Sequence, residues 1–138
     1  MARSGNGAIS KAAFERLSEF RYQMRRFQRF SEHAARSHGV TPLQYLLLLH
    51  IQGYPGYKHA TVGELAERLQ AHPHGVVALI SRCERRGLVA RLIGKRDRRR
   101  VEVHLRAKGR RLLVRIASMH RSELKIFRRA FSAVFRDA

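Results

Sequence analysis

Apolar positions recur every three or four residues at both ends of the chain and every second residue in a short stretch between them. Within residues 10–37, Ala13, Leu17, Phe20, Met24, Phe27 and Ala34 fall three, four or seven apart, the stripe of an amphipathic helix, and Gly39 closes it. Residues 107–136 repeat the pattern with Leu112, Ile116, Met119, Leu124, Phe127, Phe131 and Val134. At about 1.5 Å per residue the first of these helices is about 40 Å long, more than a small core can cover. Two overlong stripes predict a bundle shared by two copies of the chain, with Phe14, Leu17, Leu124, Phe127, Phe131 and Val134 at the seam. A helical hairpin within one chain is the alternative.

The block between them, residues 41–105, is built of shorter pieces. Thr41-Pro42-Leu43-Gln44 is a capping box with proline at the first helical position, and it opens a helix through Leu46 to Ile51 that Gly53-Tyr54-Pro55-Gly56 breaks. Thr61-Val62-Gly63-Glu64 is a second capping box, followed by the apolar face Leu65, Ala66 and Leu69. After a turn at Gln70-Ala71, His72 precedes Pro73 and a third helix runs to Gly87, with Val76, Leu79, Ile80 and Cys83 on one side. Residues 88–93 and 101–105 alternate with period two, and the loop Gly94-Lys95-Arg96-Asp97-Arg98-Arg99-Arg100 joins them into a charged β-hairpin. Two short helices joined by a tight turn and followed by a basic hairpin make a winged helix-turn-helix. The expected class is therefore mainly α with a small β-hairpin and long N- and C-terminal dimerisation helices.

Charge sharpens the reading. The 138 residues, enough for one domain, carry 29 Lys+Arg against 10 Asp+Glu, a net +19, and 24 of the cations are arginine, which forks onto phosphate oxygens. Such a chain repels itself unless a polyanion is its usual partner, and with 44% hydrophobic residues it is not disordered. Residues 82–111 alone hold 13 Lys+Arg and 3 Asp+Glu, a surplus of ten. A helix fits the major groove of double-stranded DNA, and a cationic hairpin reaches the minor groove.

Other classes recede. The lone cysteine, Cys83, allows no internal disulfide and no thiolate metal cluster. The opening residues lack an apolar core segment, and the longest apolar runs, Tyr45–Leu49 and Val76–Ile80, are far below the roughly 20 residues of a membrane span. A cytoplasmic protein without a membrane partner is expected. Only two aspartates occur, Asp97 and Asp137. There is no His-Glu-x-x-His, no phosphate loop with Lys-Ser/Thr and no Gly-x-Ser-x-Gly, so no enzyme and no cofactor are expected. Gly5-Asn6-Gly7 reads as a flexible start. His33 and His38 lie five apart, roughly 140° around a helix, and no metal site is expected.

The chain resembles the MarR family of bacterial regulators over residues 14–130. The resemblance rests on Thr41-Pro42-Leu43-Gln44-Tyr45, Thr61-Val62-Gly63-Glu64-Leu65-Ala66-Glu67-Arg68-Leu69, Arg86-Gly87-Leu88-Val89 and Asp97-Arg98-Arg99-Arg100-Val101-Glu102-Val103. It implies a single domain over 1–138, dimerised through about 10–37 and 107–138, with residues 73–86 in a major groove and the wing in a neighbouring minor groove. The family's Asp-x-Arg wing motif falls on Asp97 and Arg99, where the aspartate orients the arginine. The implied DNA-binding set is Thr61, His72, Pro73, His74, Val77, Ala78, Ser81, Arg82, Arg85, Lys95, Arg96, Asp97, Arg98 and Arg99.

Departures from the family pattern shape the rest. His72 stands at the cap where Ser or Thr is usual, and the helix offers few base-edge readers beyond His74 and Ser81. Arg82 matches a phosphate-contacting arginine of the family. Arg106 replaces a capping threonine, which leaves the start of the last helix open. Cys83 reads as core filler. Phe20, Met24, Phe27 and Tyr45, with Phe30 nearby, are candidates to line an effector cavity, with ordinary core the favoured alternative. The expectation is a sequence-specific homodimeric transcriptional repressor, with room for relief by a small aromatic or other small-molecule effector. A low-specificity architectural or nucleoid-type DNA binder is the competing class.

Overall fold

The computed structural model describes residues 7–136. The first six residues, which include part of the expected flexible start, and Asp137 and Ala138 at the end of the last expected helix lie outside them. Eight elements follow in order: α1 (Lys11–Ser37), α2 (Pro42–Gln52), β1 (His59–Thr61), α3 (Val62–Leu69), α4 (Pro73–Arg85), β2 (Val89–Ile93), β3 (Val101–Leu105) and α5 (Ala107–Phe135). The mainly helical winged-helix expectation holds. The sheet differs from it in one respect. It has three antiparallel strands in the order β1-β3-β2, not two, because His59–Thr61 pairs on the free side of β3. Three residues are too few for alternation to be visible in the sequence.

Both capping boxes form. The Thr41 hydroxyl accepts from the Gln44 N–H at 3.1 Å while the Thr41 N–H donates to Gln44 Oε1 at 3.1 Å. At Thr61 the reciprocal pair with Glu64 measures 3.3 and 2.9 Å. Each box satisfies two N–H groups that a helix start otherwise leaves unpaired. Gln44 Oε1 also accepts from the Arg86 guanidinium at 3.0 Å, which ties the start of α2 to the end of α4.

The chain divides into two compact units, one spanning Glu32–Met119 and the other the two chain ends, up to Ser31 and from His120. The central unit holds a closed apolar core in which Leu47, Leu48, Ile51, Leu65, Ile80, Leu88, Val103 and Ile116 are fully buried. Full burial of one such side chain stabilises by about 1.5–3 kcal/mol. The start of α5 is anchored without a capping side chain. The Arg106 N–H donates to the Leu88 carbonyl at 2.9 Å, and Gly109 lies so close to the same carbonyl that a Cβ there would collide with its oxygen. Gly109 is thus the residue that lets α5 approach the turn before β2.

In the terminal unit, α1 and α5 pair through aromatic rings. Phe20 packs on Phe131 at 4.9 Å and on Phe135 at 5.9 Å between centroids, and Phe27 on Phe127 at 5.1 Å. His120 sits edge-on to Phe27 and Phe30. Part of each long stripe is therefore used within one chain, as the hairpin alternative had it. Phe14, Leu17 and Leu124 remain more than half exposed. Among the described residues, no helix is long and apolar enough to cross a membrane.

Candidate nucleic-acid interface

The helix-turn-helix is α3 and α4 joined by three residues, Gln70 to His72. Gln70, in the left-handed region (φ 49°), ends α3, and the Ala71 N–H donates to the Ala66 carbonyl at 3.0 Å. His72 then caps α4: its Nδ1 accepts from the His74 N–H at 3.2 Å, and Pro73 occupies the first helical position. Accepting at Nδ1 requires the neutral ring with its proton on Nε2. The two imidazoles stack at 5.0 Å, so His74, an expected base reader, leans on its neighbour.

Val76, Leu79, Ile80 and Cys83 face the core as expected. His72, Pro73, His74, Val77, Ala78, Arg82 and Arg85 are exposed on the opposite side. Ser81 is only half exposed, and its hydroxyl accepts from the Arg91 guanidinium at 2.8 Å. Sequence reasoning missed Arg91. From β2 it also donates to the Val77 carbonyl at 3.2 Å, while Glu84 takes both its side chain (3.1 Å) and its backbone N–H (3.2 Å). This cluster fastens the root of the wing to α4. Its signal was an acid and an arginine flanking the Gly87 turn, legible only once β2 is known to return beside α4.

The wing is β2 and β3, paired from Val89↔Leu105 to Ile93↔Val101. Its tip is internally braced. The Gly94 N–H donates to the Arg100 carbonyl at 2.8 Å, the Arg100 N–H to the Asp97 carbonyl at 3.1 Å, and the Arg99 N–H to Asp97 Oδ1 at 3.0 Å. Asp97 therefore holds Arg99 through its backbone, as an Asx turn does. A Cβ at Gly94 would come within 2.7 Å of the Asp97 carbonyl, so the tight neck of the loop depends on glycine there. Lys95, Arg96, Arg98 and Arg99 all project from the tip as exposed cations.

Arg99 and Arg100 border a shallow recess with Thr61 to Glu64, so the wing and the start of α3 form one surface. Arg100 lies 3.3 Å from Glu64. Burial works to raise the Glu64 carboxyl, but hydrogen bonds from Tyr54 and Thr61, with Arg100 nearby, hold it below the ordinary carboxylate value. Tyr54 is raised in turn, chiefly because its hydroxyl donates to Glu64.

The other expected residues are distributed as follows. Tyr45 belongs to the closed core of the central unit, and burial pushes its hydroxyl above the ordinary tyrosine value. Phe20, Met24 and Phe27 belong to the terminal unit, half-buried in its own packing. Phe127 and Phe131, expected at a dimer seam, have ring contacts within the chain, and Val134 is buried. Cys83 is fully buried, and desolvation pushes its thiol up to about 11 although Arg86 opposes this. The fold also brings His59 of β1, remote in sequence, beside Glu102 and His104 of β3, three side chains of types that can ligate a metal.

Residues 38–100 match the model of the MarR family. Over 71 residues the chain is 34% identical to the HTH-type transcriptional repressor MdtR of Bacillus subtilis (strain 168), a match covering 51% of this chain and 44% of that protein. The chain thus spans less than half the length of the curated relative it matches. Among solved structures, a MarR family protein from Bacillus stearothermophilus has a TM-score of 0.72 at 21% identity, covering 94% of this chain and 98% of that one. A mutant of MarR from E. coli complexed with operator DNA has a TM-score of 0.63 at 17% identity, covering 85% of this chain and 77% of that one. At these identities the structural likeness is one of fold.

Proposed function

We propose, from the match of residues 38–100 to the MarR family model and the likeness to a curated repressor, that the chain is a MarR-family homodimeric transcriptional regulator that represses by occupying double-stranded operator DNA. The observation that carries this is the wing tip: four exposed cations on a loop braced by Asp97, attached by Arg91 to the exposed side of α4. In the proposed complex α4 enters the major groove and the wing an adjoining minor groove, where negative potential concentrates over narrow A·T-rich steps. In this reading Thr61, Arg82 and Arg85 contact phosphates and Arg99 enters the groove. The sign of regulation is taken from the relative named a repressor. Dimerisation is supported by the exposed apolar residues Phe14, Leu17 and Leu124 of the terminal unit.

Base-edge readers are scarce on α4. His74 is stacked and Ser81 is engaged by Arg91, so specificity falls to groove shape and to two half-sites fixed about one helical turn apart by the dimer. The same scarcity favours the second reading, a low-specificity architectural binder.

Titration of genome-selected fragments against random duplex separates the two, since a regulator binds its operator at least about a thousandfold tighter. Arg99→Ala should cost about 1–3 kcal/mol on either DNA, the loss of a charge-assisted contact. Affinity should fall with salt at a log–log slope of about −0.9 per phosphate neutralised. Binding that ignores both salt and Arg99 would overturn the assignment of the wing. An operator-to-random ratio near one would leave the architectural reading.

A further inference from the structure

We propose that His59, Glu102 and His104 form a binding site for a divalent transition-metal ion of the zinc class on the face of the sheet turned away from the core. The inference is independent of DNA binding, and either can fail without the other.

Strand register brings the three residues together. His59 lies directly opposite His104 in the β1–β3 pairing, and Glu102, two residues before His104, shares its face. Val103 and Leu105 point the other way, into the core. One ligand atom from each of the three side chains lies within 4.8 Å of the others. Glu102 Oε1 is 3.1 Å from His104 Nε2 and 3.6 Å from His59 Nδ1. Donor atoms about 2.0–2.1 Å from a tetrahedral zinc are about 3.4 Å apart, so the two separations from Glu102 bracket what the ion requires, while the two imidazoles, stacked at 4.7 Å between centroids, would close on it by a small ring rotation.

A purely structural network is the competing account, and one atom argues against it. His59 Nδ1 is buried and has no hydrogen-bond partner, because 3.6 Å to Glu102 is too long for one. A buried, unpaired ring nitrogen costs stability unless something takes its lone pair or its proton. An ion between the strands would take the lone pair.

The donor set suits zinc-class metals: two imidazoles and a carboxylate, each partly exposed, leave a fourth position open to water. Lys95, Arg96 and Arg100 border the same hollow and oppose a cation there, but Arg100 is paired to Glu64, whose carboxylate lines the hollow as well. Bound metal would tie β3, the returning strand of the wing, to β1, whose last residue Thr61 caps α3.

The test uses the full chain without a polyhistidine tag, stripped of metal and titrated with Zn2+ against a chromophoric chelator. One equivalent per chain should compete with the chelator. Glu102→Gln, nearly isosteric and partly exposed, and His104→Gln should each weaken binding at least about tenfold, since loss of even an outer-shell partner costs that much. With eight histidines in the chain, His72→Ala/His74→Ala serves as the control and should retain the tight equivalent. Co2+ should give visible ligand-field absorption in the parent protein that Glu102→Gln lacks, with unchanged circular dichroism and thermal midpoint in the metal-free variant showing that it folds. Absence of a tight equivalent, parental affinity in Glu102→Gln, or loss of binding in the His72/His74 control would each overturn the proposal.

Discussion

The central and terminal units treat the same raw material, leucine and phenylalanine at helical spacing, in opposite ways. Between Glu32 and Met119, apolar side chains from parts of five helices and the sheet converge from several directions, and Leu47, Leu65, Ile80 and Val103 lose all contact with water. In the terminal unit two helices meet along one line. Phe20, Phe27, Phe127 and Phe131 are covered in part, while Phe14, Leu17, Leu124 and Ile126 remain about half exposed. A pair of helices has too little surface to enclose large side chains on both flanks, whereas several helices converging on a sheet can. Composition does not separate the units. The number of elements arriving at one place does.

The largest effect is expected where the terminal unit would be completed by a second copy. Leu17→Glu/Leu124→Glu removes two apolar side chains from each chain, and in a symmetric dimer both copies lose them. At about 1.5–3 kcal/mol per leucine fully buried, the dimer constant should weaken by several orders of magnitude. Sedimentation at micromolar concentration should show a dimer for the parent and a monomer for the variant. An unchanged dimer would break the comparison, because the exposed stripe would then not be the surface that pairs.

Ile80→Ala tests the other side of the contrast. The residue is fully buried in α4, and removal of its three outer carbons should cost about 2–5 kcal/mol in urea unfolding. Phe14→Ala, at an exposed position, should change the unfolding of a dilute monomer by less than about 0.5 kcal/mol. Near-equal costs would mean that the terminal unit is closed as well.

Much of this was legible in the sequence because its signals are local. Capping boxes at Thr41 and Thr61, His72-Pro73, and the alternation of residues 101–105 each act over a few residues, and the corresponding element starts within a residue or two of the reading. The missed features are pairings across the chain. Three-residue β1 exists only because β3 offers it an edge, and His59 meets His104 only through that register. Arg91 reaches Ser81 and Val77 because β2 turns back along α4, and in the sequence Ser81 looks free. For the same reason the aromatic residues of α1 and α5 read as a dimer seam: spacing gives the stripe but does not say which neighbour covers it.

Within the central unit the wing tip is the part least supported by burial and most dependent on one carboxylate. Asp97→Ala removes a negative charge from a strongly basic loop, and simple electrostatics predicts tighter binding to DNA. Loss of the Asp97 contact to the Arg99 N–H should instead loosen the tip and weaken binding by about 1 kcal/mol, the worth of an ordinary hydrogen bond. Anisotropy titrations at two salt concentrations decide between the signs. Tighter binding would mean that the charge of Asp97 matters more than the turn it makes.

The smallest effect is expected at Cys83, and a null result there is informative. Desolvation outweighs the pull of Arg86 and pushes the thiol up to about 11, so at pH 8 about one molecule in a thousand carries the reactive thiolate. The folded state keeps the proton more firmly than the unfolded state does. Its contribution to stability is therefore complete below the ordinary thiol value and is lost as pH rises through that value towards 11. At pH 8, native protein should resist iodoacetamide for as long as the chain unfolded in guanidinium needs to react completely. Any slow labelling should accelerate in Ile80→Ala, because it would report opening of the core that both residues share. Native labelling at the unfolded rate would show that the central unit opens freely around α4, and the contrast between the two units would lose its closed half.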